Sequence, residues 1–250
     1  MLFNSNRKYH LIVLSIMLLT RLCSQELKDD NFVLLELFTS QGCSSCPPAD
    51  KNIIEIGEKY EKQNIYILAY HVDYWDRLGW KDTFGNKNNF NRQRLYTRNK
   101  FKERIYTPQL IVNGQVEFNG SNKRKTIGAI DKFQTVTPKA TIKIDSMAIV
   151  NGLIKFKANI SGNFVNSKLH VVLVENNLIT KILKGENRGK TINYEHVVKK
   201  FISLSVKNST SGKLKVPKEL KLKNSEIIFF LQRNDNMAII AAKSFSLKTI

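Results

Sequence analysis

The first long apolar stretch that follows a charged segment is Phe32-Val33-Leu34-Leu35-Glu36-Leu37-Phe38. It is nearly continuous and of strand length, which predicts a buried strand. Thr39 to Gly42 reads as a loop, and a helix opens at Cys43-Ser44-Ser45-Cys46-Pro47-Pro48, since proline is tolerated in a first helical turn. Ile53, Ile54, Ile56 and Tyr60 give that helix an apolar stripe as far as Lys62. Asn64 to His71 predicts a second strand. Aromatic and charged residues then mix from Val72 to Gly85, and Asn88 to Lys102 reads as a basic helix. Leu110-Ile111-Val112 and Gln115-Val116-Glu117-Phe118 flank Asn113-Gly114, a strong hairpin signal. Ser121, a candidate N-cap, starts a last helix ending at Phe133. The predicted order is β-α-β-α-β-β-α.

Beyond Thr135 the texture changes. Thr137-Pro138 is a break, and the runs 140–149, 153–160, 168–174, 192–206, 227–232 and 237–247 read as short strands between turns, the pattern of an all-β sandwich. A domain boundary is therefore expected near residue 136. No internal repeat or low-complexity tract interrupts this reading.

The first 24 residues stand apart. Arg7 and Lys8 precede an apolar stretch, Leu11 to Leu19, broken only by Ser15, and Gln25 follows Leu22-Cys23-Ser24. This is the layout of a secretory signal peptide over residues 1–24, with an uncleaved anchor or a lipidated Cys23 as alternatives. The expected location is therefore periplasmic or on the outer surface. The formal charge of the 250-residue chain is +19, and losing Arg7, Lys8 and Arg21 with the leader leaves +16. The lysines are spread along the chain without a nucleic-acid-binding motif, so nucleic acid is not an expected partner. Solvated lysine faces are the plain explanation, and association with an anionic envelope surface is the functional one.

Export changes the meaning of the three cysteines. Without Cys23, only Cys43 and Cys46 remain, and such a short loop constrains little of an unfolded chain. The pair is better suited to chemistry than to scaffolding. At a strand-to-helix junction, unpaired N–H groups and the helix dipole favour a thiolate. Cys43 is the expected attacking sulfur and Cys46 the resolving one, joined as a disulfide when oxidised. The alternatives are an inert disulfide, half a zinc site, or a soft-metal site for Cu(I) formed by Cys43, Cys46 and His71. No second C-x-x-C exists to complete a zinc site, and no cofactor is expected.

Thr107-Pro108 precedes a strand, where thioredoxin-like folds place a cis-proline opposite the cysteines and offer the preceding backbone to substrate. Glu36 is a carboxylate within an apolar strand and a candidate acceptor for the resolving thiol's proton, although simple register turns it to the other face. His71, near Asp73, is a candidate proton shuttle or copper ligand, with local hydrogen bonding as the plain reading. Gly185-Glu186-Asn187-Arg188-Gly189-Lys190-Thr191 mimics a phosphate loop but has three residues between its glycines instead of four, so nucleotide binding is rejected.

Glu36 to Asp50, with Cys43-Ser44-Ser45-Cys46-Pro47-Pro48 at its centre, resembles the signature of a group of exported bacterial proteins catalogued as domain of unknown function 1223. His71-Val72-Asp73-Tyr74-Trp75-Asp76, Leu78-Gly79-Trp80-Lys81-Asp82, Tyr106-Thr107-Pro108-Gln109, Gly185 to Thr191 and His196-Val197-Val198 resemble its further blocks. The resemblance implies export and a thioredoxin-like domain, but no substrate. The segment between His71 and Pro108 departs from plain thioredoxin and is a candidate lid or substrate surface. The expectation is therefore an α/β thioredoxin-like domain over residues 25–136 and a smaller all-β sandwich-like domain over 137–250. Its expected function is thiol–disulfide exchange with a protein substrate and a redox partner. The alternatives are soft-metal binding or an envelope interaction module.

Overall fold

A computed structural model describes residues 31–102 and 104–248. The segment predicted to be a signal peptide, with Cys23, lies outside the described residues. Thirteen strands and three α-helices form among the described residues. They are β1 (Val33–Thr39), α1 (Pro47–Lys59), β2 (Ile65–His71), α2 (Lys87–Tyr96), β3 (Gln109–Val112), β4 (Val116–Asn119), α3 (Lys123–Phe133), β5 (Ala140–Val150), β6 (Leu153–Gly162), β7 (Ser167–Glu175), β8 (Leu178–Lys181), β9 (Thr191–Tyr194), β10 (Val197–Ser205), β11 (Ser209–Lys215), β12 (Ser225–Arg233) and β13 (Ile239–Ser246).

The architecture corrects the expected one. There is no thioredoxin-like unit followed by a small sandwich. One mixed eight-stranded sheet runs β13-β12-β7-β10-β2-β1-β3-β4, taking strands from both sides of residue 136. The join is the parallel contact of β10 with β2, where Val197 pairs with Ala69 and the Ala69 N–H donates to the His196 carbonyl at 2.8 Å.

Burial explains why the sequence pattern misleads. In β7, Leu169, Val171 and Leu173 enter a core with Ile154 and Phe156 of the three-stranded sheet β11-β6-β5. The alternate residues Val172 and Val174 enter a second core with Phe38 of β1 and Tyr70 of β2. β12 divides in the same way, Ile227, Phe229 and Leu231 against Ile228 and Phe230. Their unbroken apolar runs thus belong to central strands covered on both faces. A third core packs Ile53 and Ile56 of α1, with Ile130 and Phe133 of α3, onto Val33, Leu35 and Leu37 of β1.

Local signals held more closely. Asn113 and Gly114 have φ of 47° and 65°, as a tight hairpin turn needs. A Cβ on Gly114 would lie 2.0 Å from the Met237 carbonyl oxygen, so the turn tolerates no side chain there. The α3 cap is Asn122 instead of Ser121, with its side chain accepting from the Lys125 N–H at 3.0 Å.

Candidate functional site

β1 ends at Thr39, and a tight turn carries the chain to the cysteines. The Cys43 N–H donates to Ser40, and the Cys46 N–H to Cys43, each at 3.2 Å. Cys43 and Cys46 are joined by a disulfide, and Cys46 caps α1. Pro47 and Pro48 have no N–H to offer, and those of Ala49 and Asp50 both go to the Cys46 carbonyl. The usual donors at a helix N-terminus are therefore absent or taken. What stands beside the Cys43 sulfur is the Ser45 hydroxyl, at 3.3 Å.

Ser45 also reaches the Thr107 carbonyl at 3.5 Å. The Thr107–Pro108 peptide bond is cis, and the Trp75 indole donates to Thr107 Oγ1 at 2.8 Å. The strand-adjacent proline and the aromatic segment thus meet the turn that holds the cysteines.

Both cysteines are 0 % exposed, whereas Ser44 and Ser45 are exposed. Part of the cover comes from far along the chain. β8 and β9 pair only with each other, forming an arm whose tip is the segment 182–190. Asn187 is buried at that tip, and its Nδ2 donates to the carbonyls of Gln41 at 2.9 Å and Cys43 at 2.8 Å. Glu186 accepts from the Ser44 N–H at 3.0 Å, and hydrogen bonding from the Ser44 side chain and then from this N–H holds its carboxyl below the usual range. Gln41 Nε2 donates to Thr180 on the arm at 3.2 Å, and its Oε1 accepts from the Trp80 indole at 2.9 Å. The sequence rejects a phosphate loop for the Gly185–Thr191 segment and marks it only as a block of the family resemblance. Its placement over the disulfide is a role that local pattern does not reveal.

Beneath the turn lies a buried polar cluster. Asp50 sits one helical turn beyond Cys46, and its Oδ1 accepts from Thr39 Oγ1 at 2.8 Å. Burial pushes its pKa up to about 7, against the opposing charge of His71 and the Thr39 hydrogen bond. His71 Nδ1 is 2.7 Å from Asp82 Oδ2, and both side chains are fully buried. Burial alone disfavours the imidazolium, but Asp82, through charge and hydrogen bond, and Asp50 through charge outweigh it and raise the His71 pKa. Burial likewise opposes ionisation of Asp82, and His71 together with the N–H groups of Gln41 and Phe84 overcomes it and lowers the pKa. Sequence reading singled out His71 and missed Asp50 and Asp82. Asp50 lay within the quoted signature, where its spacing of four from Cys46 was the available signal.

Glu36 lies on the opposite face of β1. It accepts from Arg92 Nε at 2.5 Å and from the Tyr96 hydroxyl, so it is remote from α1. Among the described residues, no group of three or more His, Cys, Asp or Glu side chains is placed to hold a metal, so Cys43, Cys46 and His71 do not come together as a ligand set.

A family profile described as "Protein of unknown function (DUF1223)" matches residues 34–232. A crystal structure of a protein from Agrobacterium tumefaciens is similar at 27 % identity and a TM-score of 0.68, covering 87 % of this chain and 95 % of that one. A domain of the outer membrane lipoprotein Omp28 from Porphyromonas gingivalis aligns at 14 % identity over 42 % of this chain and 93 % of that one, with a TM-score of only 0.26. No curated protein matches the chain.

Proposed function

We propose, from the premise that the chain belongs to the DUF1223 family, that it is a thiol–disulfide oxidoreductase that works through Cys43 and Cys46. Asp50 is the observation that carries this reading. A disulfide that only stiffens a loop has no use for a buried carboxyl one turn away, and the desolvation of that carboxyl costs stability. A disulfide that opens and closes needs a group that accepts the resolving thiol's proton, and a pKa near 7 suits that task at neutral pH.

The steps follow from the residues. A substrate thiolate attacks the Cys43 sulfur, and the Cys43–Cys46 bond breaks with its electron pair leaving on Cys46. Asp50, protonated, returns a proton to that sulfur. In the reverse direction Asp50 takes the Cys46 proton as the Cys46 sulfur attacks Cys43, and the substrate sulfur leaves as a thiolate. Ser45 hydrogen-bonds the Cys43 thiolate in place of the missing helix amides. Because both sulfurs are buried, the arm tip at Glu186–Asn187 must lift before a protein substrate reaches them. We place this chemistry outside the cytoplasm, where disulfide substrates persist, as the signal-like pattern of residues 1–24 suggests.

The test is to equilibrate the folded chain against a glutathione series and follow the Cys43–Cys46 pair by thiol alkylation. We expect it to equilibrate while the fold is intact, at a potential above about −300 mV. A pair that stays oxidised throughout and becomes reducible only on unfolding overturns the proposal.

A further inference from the structure

His71, Asp82 and Tyr194 have no part in the exchange steps above, yet all three are buried beside Asp50. Thr39 and His71 are register partners in the neighbouring parallel strands β1 and β2, so their side chains emerge on the same face. Thr39 bonds Asp50 from that face, which puts the His71 ring next to the Asp50 carboxyl. The ring is fixed. Its Nδ1 is bound to Asp82, and the rings of Phe84 and Tyr194 stand edge-on at 5.2 and 5.1 Å. Asp82 is fixed in turn by the N–H groups of Gln41 and Phe84, each at 2.8 Å.

Three buried polar atoms of this cluster have no hydrogen-bond partner among the described residues: Asp50 Oδ2, His71 Nε2 and the Tyr194 hydroxyl. Buried polar atoms are as a rule hydrogen-bonded, so a group of unpaired ones beneath a disulfide calls for a purpose. Because Asp82 holds the proton on Nδ1, Nε2 is the nitrogen free to gain or lose one.

Building on the exchange reading, we infer that the His71–Asp82 pair is a proton relay behind Asp50, with both residues acting as positioning residues that reset the Asp50 carboxyl. When Cys46 closes onto Cys43, the Cys46 proton goes to Asp50 Oδ2, the Cys46–Cys43 bond forms, and the bond from Cys43 to substrate breaks with its pair on the substrate sulfur. The two atoms share no hydrogen bond, so Asp50 passes that proton to His71 Nε2 by way of one bridging water. The imidazolium is paired with the Asp82 carboxylate, and Asp50 is a carboxylate again. Opening of the disulfide runs the same transfers backwards.

The groups that set the proton's position come from every surrounding element. Thr39 is on β1, His71 on β2, Asp50 on α1 and Tyr194 on β9. Lys199 of β10, 3.5 Å from Glu175, opposes the imidazolium. Asp76 accepts from the Asp82 N–H at 3.0 Å.

The probe is Ellman's reagent on the reduced chain in single turnover, with Cys23→Ser in every variant so that only Cys43 and Cys46 release thionitrobenzoate. The first thionitrobenzoate released reports attack by a cysteine, and the second reports closure by Cys46. In the parent we expect the second step to depend on pH with an inflection near 7. In His71→Gln and Asp82→Asn we expect it to slow about tenfold below that inflection and the inflection to move, while the first step keeps its rate. Unchanged second-step profiles in folded variants overturn the relay and leave the exchange reading intact. A parent that never releases the second thionitrobenzoate overturns both. Should the variants fail to fold, the His71 ring titration by nuclear magnetic resonance decides the matter in the parent and Asp50→Asn. A fall of about 0.5 pH unit or more on losing the Asp50 charge supports the relay, and an unmoved titration overturns it.

Discussion

Removing the charge of Asp50 is expected to stabilise the protein in alkali and to change little in acid. An unfolded aspartate titrates near 3.9, and folded Asp50 titrates at about 7. Between those values the folded chain holds a proton that the unfolded chain has lost, so stability falls as pH rises, and the loss is complete above the folded pKa. Roughly three pH units at about 1.36 kcal/mol each put the penalty on the order of 4 kcal/mol. Asp50→Asn keeps an acceptor for Thr39 and removes the penalty. Urea unfolding should therefore show a gain of a few kcal/mol at pH 8 and almost none at pH 4. His71 tilts stability the same way, since its raised pKa stabilises the fold below the ordinary imidazole value of about 6.5 and this is lost as pH climbs through the folded value. Ser45 carries a second expectation at this scale. With Pro47 and Pro48 offering no N–H, its hydroxyl, 3.3 Å from the Cys43 sulfur, is the group placed to donate to a thiolate there. A hydrogen bond to a charged group contributes about 1.5–3 kcal/mol, so Ser45→Ala should raise the Cys43 thiol pKa by about 1–2 units in the pH dependence of iodoacetamide alkylation.

The β8–β9 arm is the element whose motion the chemistry requires. It leaves the main sheet at Asn177, with φ of 59°, and rejoins it at His196, with φ of 56°. The two ends are tied together, since the Asn177 N–H donates to Glu195 at 3.0 Å and the His196 N–H to Asn176 at 2.6 Å. The arm therefore has fixed ends and a tip held by a few polar contacts, of which the two from Asn187 are the buried ones. Asn187→Ala removes both donors and leaves the carbonyls of Gln41 and Cys43 unsatisfied in the closed state. Losses of about 1–3 kcal/mol shift the closed–open balance by about fivefold to a hundredfold. Dithiothreitol should then reduce the Cys43–Cys46 bond at least about fivefold faster, at a pH where the fold is intact. An unchanged rate would mean that substrate reaches the sulfurs without the tip moving. This arm also marks a limit of sequence reading. The turn residues of the Gly185–Thr191 segment are legible, but which surface its tip meets depends on β7 and β10 both pairing into the main sheet, and no local pattern carries that.

At the scale of the molecule, what the sequence disclosed and what it hid divide by range. β1, α1, β2 and the Asn113–Gly114 hairpin were legible because each depends on neighbours a few residues away. The faces of β7 and β12 were not, because Val171 and Val172 enter different cores only after Val197 has paired with Ala69. Asp50 was visible as a residue, but the buried cluster it belongs to is completed by Tyr194, whose ring meets His71 and which arrives from the other side of residue 136. The same long-range pairing implies that the halves unfold together, and Arg92 is the place to test it. This guanidinium, 2 % exposed, donates to Glu36 of β1 at 2.5 Å and to Gln232 of β12 at 3.3 Å, and it packs over the rings of Tyr70, Tyr96 and Phe230. Arg92→Met keeps most of the volume and strands the buried Glu36 carboxylate, a change that costs about 3–5 kcal/mol. Adding Glu36→Gln should recover part of it, because the uncompensated charge is gone. Trp75 and Trp80 report the first half by fluorescence, and amide exchange in β12 reports the second. We expect Arg92→Met to lower both unfolding midpoints by the same amount, since Glu36 and Gln232 belong to one sheet. If the tryptophan signal were lost while the β12 amides stayed protected, the halves would be independent units and the shared sheet would contribute little to their stability.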